Sequence, residues 1–287
     1  MIIIRLISGL GNQMFQYAFF LQMQQWYGKE NVKLDIDTYH WKEHNGRELD
    51  KVFHIDLKKD AAPLSLSLSM ADVGYRLKDR VLRRLRGEKH RCYAFWKNLT
   101  YDDYGCLPKD IYLEGYWTED RYFCNVAEKI RSIYQFSEPS DDRNRKYLSQ
   151  IRNYSSVGIH VRRGDYLLYP DLFPMCSVEY YQNAINYITT AYPKQDFIFF
   201  VFSDAIDWCK NNLAFLKKVQ FINHNVKTDS YKDMMLLAAC KHQIIANSTF
   251  SWWAAWLNSN PNKIVLYPST TRLTYESMPK SWICIDV

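Results

Sequence analysis

The chain has 287 residues, 47% of them hydrophobic and 24% charged, which excludes a disordered polypeptide and allows one large or two ordinary domains. A net charge of +6 weakly favours anionic partners, and no uncharged apolar run approaches membrane-spanning length. Aromatics reach 16%, a level that suits both ordinary core packing and stacking on sugar faces.

Ile2–Ile7 reads as a buried strand, Ser8-Gly9-Leu10-Gly11 as a turn, Asn12–Tyr27 as a helix ending at Gly28, and Val32–Ile36 as a second strand. The chain therefore opens with a βαβ unit. Met1-Ile2-Ile3-Ile4 runs straight into Arg5 and lacks the pattern of a signal peptide. Seven scattered cysteines without a C-x-x-C pair predict free thiols in a reducing compartment, hence a cytoplasmic protein.

Residues 40–150 are less regular. Ser65-Leu66-Ser67-Leu68-Ser69 reads as a loop. Val73, Leu77, Val81 and Leu85 fall four apart and predict a helix stripe among eight basic residues between Arg76 and Arg91. That helix is either a solvated face or a peripheral contact with an anionic membrane, at the inner face of the plasma membrane. Ser137–Asp142 is the linker, which predicts domains at 1–145 and 146–287. Beyond it, strands predicted at 157–161, 197–202, 219–222, 243–246 and 263–267 alternate with helices at 178–192, 205–213, 230–240 and 250–258. This alternation predicts a parallel sheet covered by helices, with ligands beyond the carboxyl ends of its strands.

Chemistry-bearing residues gather at those strand ends. In His160-Val161-Arg162-Arg163-Gly164-Asp165, His160 and Arg162 share one strand face, and Arg offers a planar fork of donors suited to a diphosphate. The competing reading is a surface Arg–Asp pair. Ser203 and Asp204 end the next strand, where an acid can accept from ribose or base, or cap a helix. Asn247-Ser248-Thr249-Phe250-Ser251 presents hydroxyls and N–H groups at a helix N-terminus, an anion site or again a cap. Gly9-Leu10-Gly11-Asn12-Gln13 resembles a dinucleotide-binding turn, but Met14 replaces the third glycine, so an oxidoreductase reading is defective. Asp35-Ile36-Asp37 is a D-x-D after a strand, with His40 and His44 near it; a metal site and plain polar surface both fit.

Taken together, Ser8–Tyr17, Gly115-Tyr116-Trp117, His160–Tyr166, Phe202-Ser203-Asp204 and Asn247–Trp253 resemble the bacterial alpha-1,2-fucosyltransferases of glycosyltransferase family 11. The resemblance runs in order to about residue 270 and is weakest over 40–105. It implies an α/β, GT-B-like architecture of two Rossmann-like domains facing a cleft, with an acceptor-side N-terminal domain and a GDP-fucose-binding C-terminal domain. It implies no catalytic metal, no cofactor beyond the GDP-fucose donor, a galactoside-terminated glycan as acceptor, and no nucleic-acid partner. Carried over, Arg162 contacts the β-phosphate and Asn12 sits near the fucose–phosphate linkage. Gly11, Gln13, His160, Arg163, Ser203, Asp204, Asn247, Ser248, Thr249 and Ser251 hold the donor. Asp37, Glu114 and Asp165 are candidates for the base, and Asp37, Glu114, Tyr116 and Trp117 for the acceptor side, with core packing an equal reading for Tyr116 and Trp117. A glycan-binding protein with a decayed site is the remaining alternative, and the intact His160/Arg162/Arg163/Asp165 set argues against it.

Overall fold

Short runs of β-branched, leucine and aromatic residues form two separate parallel sheets. A computed structural model describes residues 1–37, 45–70, 92–95, 99–171, 173–270 and 278–286. Their contacts divide the chain into two compact units, Met1–Ile133 and Tyr134–Val287.

In the first unit, strands β1 (Ile2–Arg5), β2 (Val32–Asp35), β3 (Cys92–Phe95) and β4 (Ile111–Glu114) lie in the order β2-β1-β4-β3. Ile2, Ile3 and Ile4 are at most 3% exposed, because helices cover a parallel strand on both faces. Helix α1 (Leu10–Tyr27) follows β1 and ends at Gly28, whose φ of 87° suits a residue without a Cβ. Helices α2 (Leu49–Phe53), α3 (Leu64–Met70) and α4 (Ala127–Ile133) complete the unit with short 3-10 turns. The loop expected at 65–69 is instead α3. Pro63 starts it, its carbonyl accepting from Leu66 and Ser67 N–H.

The second unit contains α5 (Asp142–Asn153), capped by Asp141, then β5 (Ser155–Val161), α6 (Val178–Ala191), β6 (Phe197–Ser203), α7 (Ile206–Asn212), β7 (Val219–Ile222), α8 (Tyr231–Ala239), β8 (His242–Ile244), α9 (Thr249–Leu257), β9 (Val265–Pro268) and β10 (Ile283–Ile285). The sheet runs β10-β9-β8-β5-β6-β7, all parallel. Chain order builds outward from β5 through β6 and β7, then returns to the other side of β5 with β8. The switch point therefore lies between β5 and β8. In the first sheet it lies between β1 and β4 by the same logic.

The strand expected to be last is followed by β10, and β3 and β4 come from the stretch read as irregular. Each is only three or four residues long, too short to show a period. The basic stripe between Val73 and Arg91 lies outside the described residues, as do His40 and His44.

Candidate active site

The second unit brings the three C-terminal motifs together. β5 pairs with β6 on one side and β8 on the other, so the segments at Arg162, Asp204 and Asn247 leave neighbouring strands. Tyr166 ties two of them by donating its hydroxyl to the Asn247 carbonyl at 2.7 Å. His160 stacks on Phe250, with ring centroids 5.3 Å apart.

Arg162 is the charge centre. Its Nη2 meets Asp165 Oδ1 at 2.8 Å and its Nη1 meets Asp204 Oδ2 at 3.0 Å, while its guanidinium lies over the Tyr166 ring at 5.6 Å. Burial opposes the charge, but the two carboxylates outweigh it and raise the pKa. Arg163 lies over the Trp208 ring at 4.1 Å, a cation–π contact that sequence reasoning missed because Trp208 is 45 residues away.

Asp204 accepts from Arg163 N–H at 2.9 Å and Gly164 N–H at 3.1 Å. Ser203 Oγ accepts from Ala205 N–H at 2.9 Å. Both residues thus organise the turns in which they sit. His160 is 6% exposed and its Nδ1 has no hydrogen-bond partner. Burial, and then the charge of Arg162, push its pKa down to about 3, so the ring is neutral near pH 7.

At α9, Ser248 is the N-cap and accepts from Phe250 N–H. Ser251 is fully buried and donates to the Ala246 and Ser248 carbonyls. Asn247 donates to the Pro174 carbonyl at 3.3 Å, and Thr249 is half-buried in the first turn. The capping reading therefore describes Ser248, and Ser251 faces the interior.

In the first unit Ser8 has φ 70°, an uncommon conformation for a residue with a Cβ. Asn12 holds it by donating to Ser8 Oγ at 2.9 Å, and Gln13 by donating to the Ser8 carbonyl at 2.7 Å. Gln13 is completely buried, and its Oε1 also accepts from Glu48 and Leu49 N–H. Gly11 is buried inside α1. Gln16, not singled out in the sequence, accepts from Ile7 N–H and donates to the Gly115 carbonyl, fastening the ends of β1 and β4 together. The resemblance gives Gln13 to the donor, and Gln16 carries no reading of its own in the sequence; the fold shows both side-chain amides bonded to backbone groups of neighbouring segments, which makes them latches.

Glu114 pairs with the buried Arg5 at 2.8 Å. Asp35 is 1% exposed and accepts from the Tyr112 hydroxyl and Asp37 N–H. Asp37 itself is exposed beyond β2, and Tyr116 is half-buried. Trp117 is 0% exposed, donates to the Tyr104 hydroxyl at 2.8 Å and stacks on Phe19 at 4.3 Å. Of its two readings, this burial favours core packing. No cluster of three potential metal ligands occurs among the described residues, and no described helix is long and apolar enough to cross a membrane.

The model of the family described as Glycosyl transferase family 11 matches residues 1–285. An alpha-1,2-colitosyltransferase of Escherichia coli is 31% identical and covers 99% of both chains. A galactoside alpha-(1,2)-fucosyltransferase 1 of Saimiri sciureus is 29% identical over 56% of this chain and 46% of its own. POFUT1, solved in complex with GDP-fucose, shares the fold with a TM-score of 0.50 at 10% identity, covering 99% of this chain and 97% of that one. The architecture is α/β and GT-B-like, and the chain belongs to glycosyltransferase family 11.

Proposed function

We propose that the protein is an inverting alpha-1,2-fucosyltransferase. In this reading it moves L-fucose from GDP-β-L-fucose to the 2-hydroxyl of a terminal galactoside during O-antigen or other surface-glycan synthesis. The observation that carries the reading is the Arg162 turn, set beside the strand that feeds the α9 N-terminus at a sheet switch point.

Cleaving the donor C1–O bond builds positive charge on the sugar ring and negative charge on the leaving GDP. In this reading Arg162, Arg163 and the first-turn N–H groups of α9 take up that negative charge, with the Thr249 hydroxyl as a further donor. Neutral His160 acts as a hydrogen-bonding group and carries no charge. Fixed cations make a divalent metal unnecessary, and the Asp35 carboxylate is already engaged with Tyr112 and Asp37 N–H. Of the three candidate bases, Glu114 and Asp165 are held in ion pairs, whereas Asp37 is exposed. In the same reading the segment at 76–91 provides peripheral contact with an anionic membrane from the cytoplasmic side; co-sedimentation with anionic vesicles should be lost when its basic residues are neutralised.

A second donor is favoured by the colitosyltransferase relative at 31% identity. Colitose is fucose without its 3-hydroxyl, so the two readings differ at one donor oxygen. Thermal shift with GDP, GDP-fucose, GDP-colitose and NAD separates them. Stabilisation by GDP and most strongly by GDP-fucose is expected. Stronger stabilisation by GDP-colitose would reassign the donor sugar, and stabilisation by NAD alone would return the first glycine turn to the oxidoreductase reading.

A further inference from the structure

We propose that Asp204 is a positioning residue that fixes the Arg162–Gly164 turn, and that Asp165 is the carboxylate which a bound diphosphate displaces from Arg162. The inference rests on the reading that Arg162 grips a nucleoside diphosphate.

Asp204 receives donors from three consecutive residues. Oδ1 takes Arg163 N–H at 2.9 Å, and Oδ2 takes Gly164 N–H at 3.1 Å and Arg162 Nη1 at 3.0 Å. It stands one residue beyond β6, whose last residue Ser203 is in register with Val161 of β5. Both ends of this clamp therefore spring from paired strands. Ser203 reinforces it by accepting from Ala205 N–H as the chain leaves β6. Gly164 is required for the approach: a Cβ there would stand 2.8 Å from Asp204 Oδ2. A carboxylate with its oxygens filled this way has little capacity left for ribose or base.

Asp165 differs in each respect. It makes one contact to Arg162, at 2.8 Å, and its side chain is 47% exposed against 25% for Asp204. Both carboxylates bind the guanidinium fork that would grip a diphosphate, and each competes with the incoming anion for its donors. One carboxylate must yield. Releasing Asp165 breaks a single exposed ion pair, whereas releasing Asp204 dismantles the turn.

The test compares Asp204→Asn, Asp165→Asn and Gly164→Ala in the full chain. GDP affinity is measured by calorimetry and guanosine affinity by ligand-observed NMR. Asp204→Asn should weaken GDP about tenfold or more, the scale of a lost charged hydrogen bond, and leave guanosine within about twofold. Asp165→Asn should tighten GDP several-fold. Gly164→Ala, which keeps the carboxylate but crowds it, should reproduce the Asp204→Asn pattern and serves if that variant does not fold. Equal losses for guanosine and GDP would make Asp204 a nucleoside ligand and overturn the proposal. So would unchanged GDP affinity in Asp204→Asn, or weaker GDP binding in Asp165→Asn. A wild-type chain that binds no GDP would sink the donor reading itself, and this proposal with it.

Discussion

Arg162, just beyond the end of β5, and His160, within it, stand two residues apart, yet they do opposite things with charge. Arg162 keeps its cation because two carboxylates surround it; His160 loses its own because it is buried beside that cation. Arg162→Lys retains the charge but not the planar fork. It should lower kcat by about two orders of magnitude or more, with GDP affinity falling much less and the melting temperature unchanged. A near-normal kcat would remove Arg162 from the mechanism. For His160, the folded pKa of about 3 lies below the ordinary value of 6.5. The unfolded chain therefore binds the proton more readily, so this contribution to stability is full above pH 6.5 and is lost as pH falls towards 3. The melting temperature of His160→Gln should fall less steeply than that of the wild type between pH 6.5 and 4. Parallel profiles would contradict the assignment.

At the scale of elements, two close packings carry the argument. Gly158 lets α8 approach β5: an added Cβ would stand 2.5 Å from Leu237 Cδ1 and 3.0 Å from Cys240 Sγ. Gly158→Ala should destabilise the protein by about 1–3 kcal/mol through overpacking, measured by chemical denaturation. Trp117→Ala should cost about 3–5 kcal/mol in the same assay, because it empties a packed site and leaves the Tyr104 hydroxyl without its donor. A change in acceptor KM with full stability would restore Trp117 to the acceptor side. The elements of the second unit from β5 to β9 were legible in the sequence because apolar strands and amphipathic helices alternate with clear turn signals between them. β3, β4 and β10 were not, since runs of three or four residues carry no period. The arginine segment announced itself by residue type. Trp208, which holds it, did not, and Tyr166 and Phe250 stood out only as members of motifs, because their contacts appear only when β5, β6 and β8 lie side by side.

For the whole molecule, each sheet carries its distinctive residues at its own switch point: Ser8, Asn12 and the Gln16 latch in the first, Arg162 and the α9 N-terminus in the second. The tryptophan-rich stretch Trp252-Trp253 lies buried against Trp256 and Trp282, so much of the aromatic excess is core and not sugar platform. Positive charge in the second unit comes from fixed arginines, and turnover should therefore survive excess EDTA; loss of activity restored by Mn²⁺ would revive the Asp35/Asp37 metal reading. The most direct measurement of the transfer is product analysis by NMR after incubation with GDP-fucose and a small β-galactoside. A single new α-fucosyl residue on the galactose 2-hydroxyl is the expected product. Fucose on any other hydroxyl, a β anomer, or no transfer to any galactoside would contradict it.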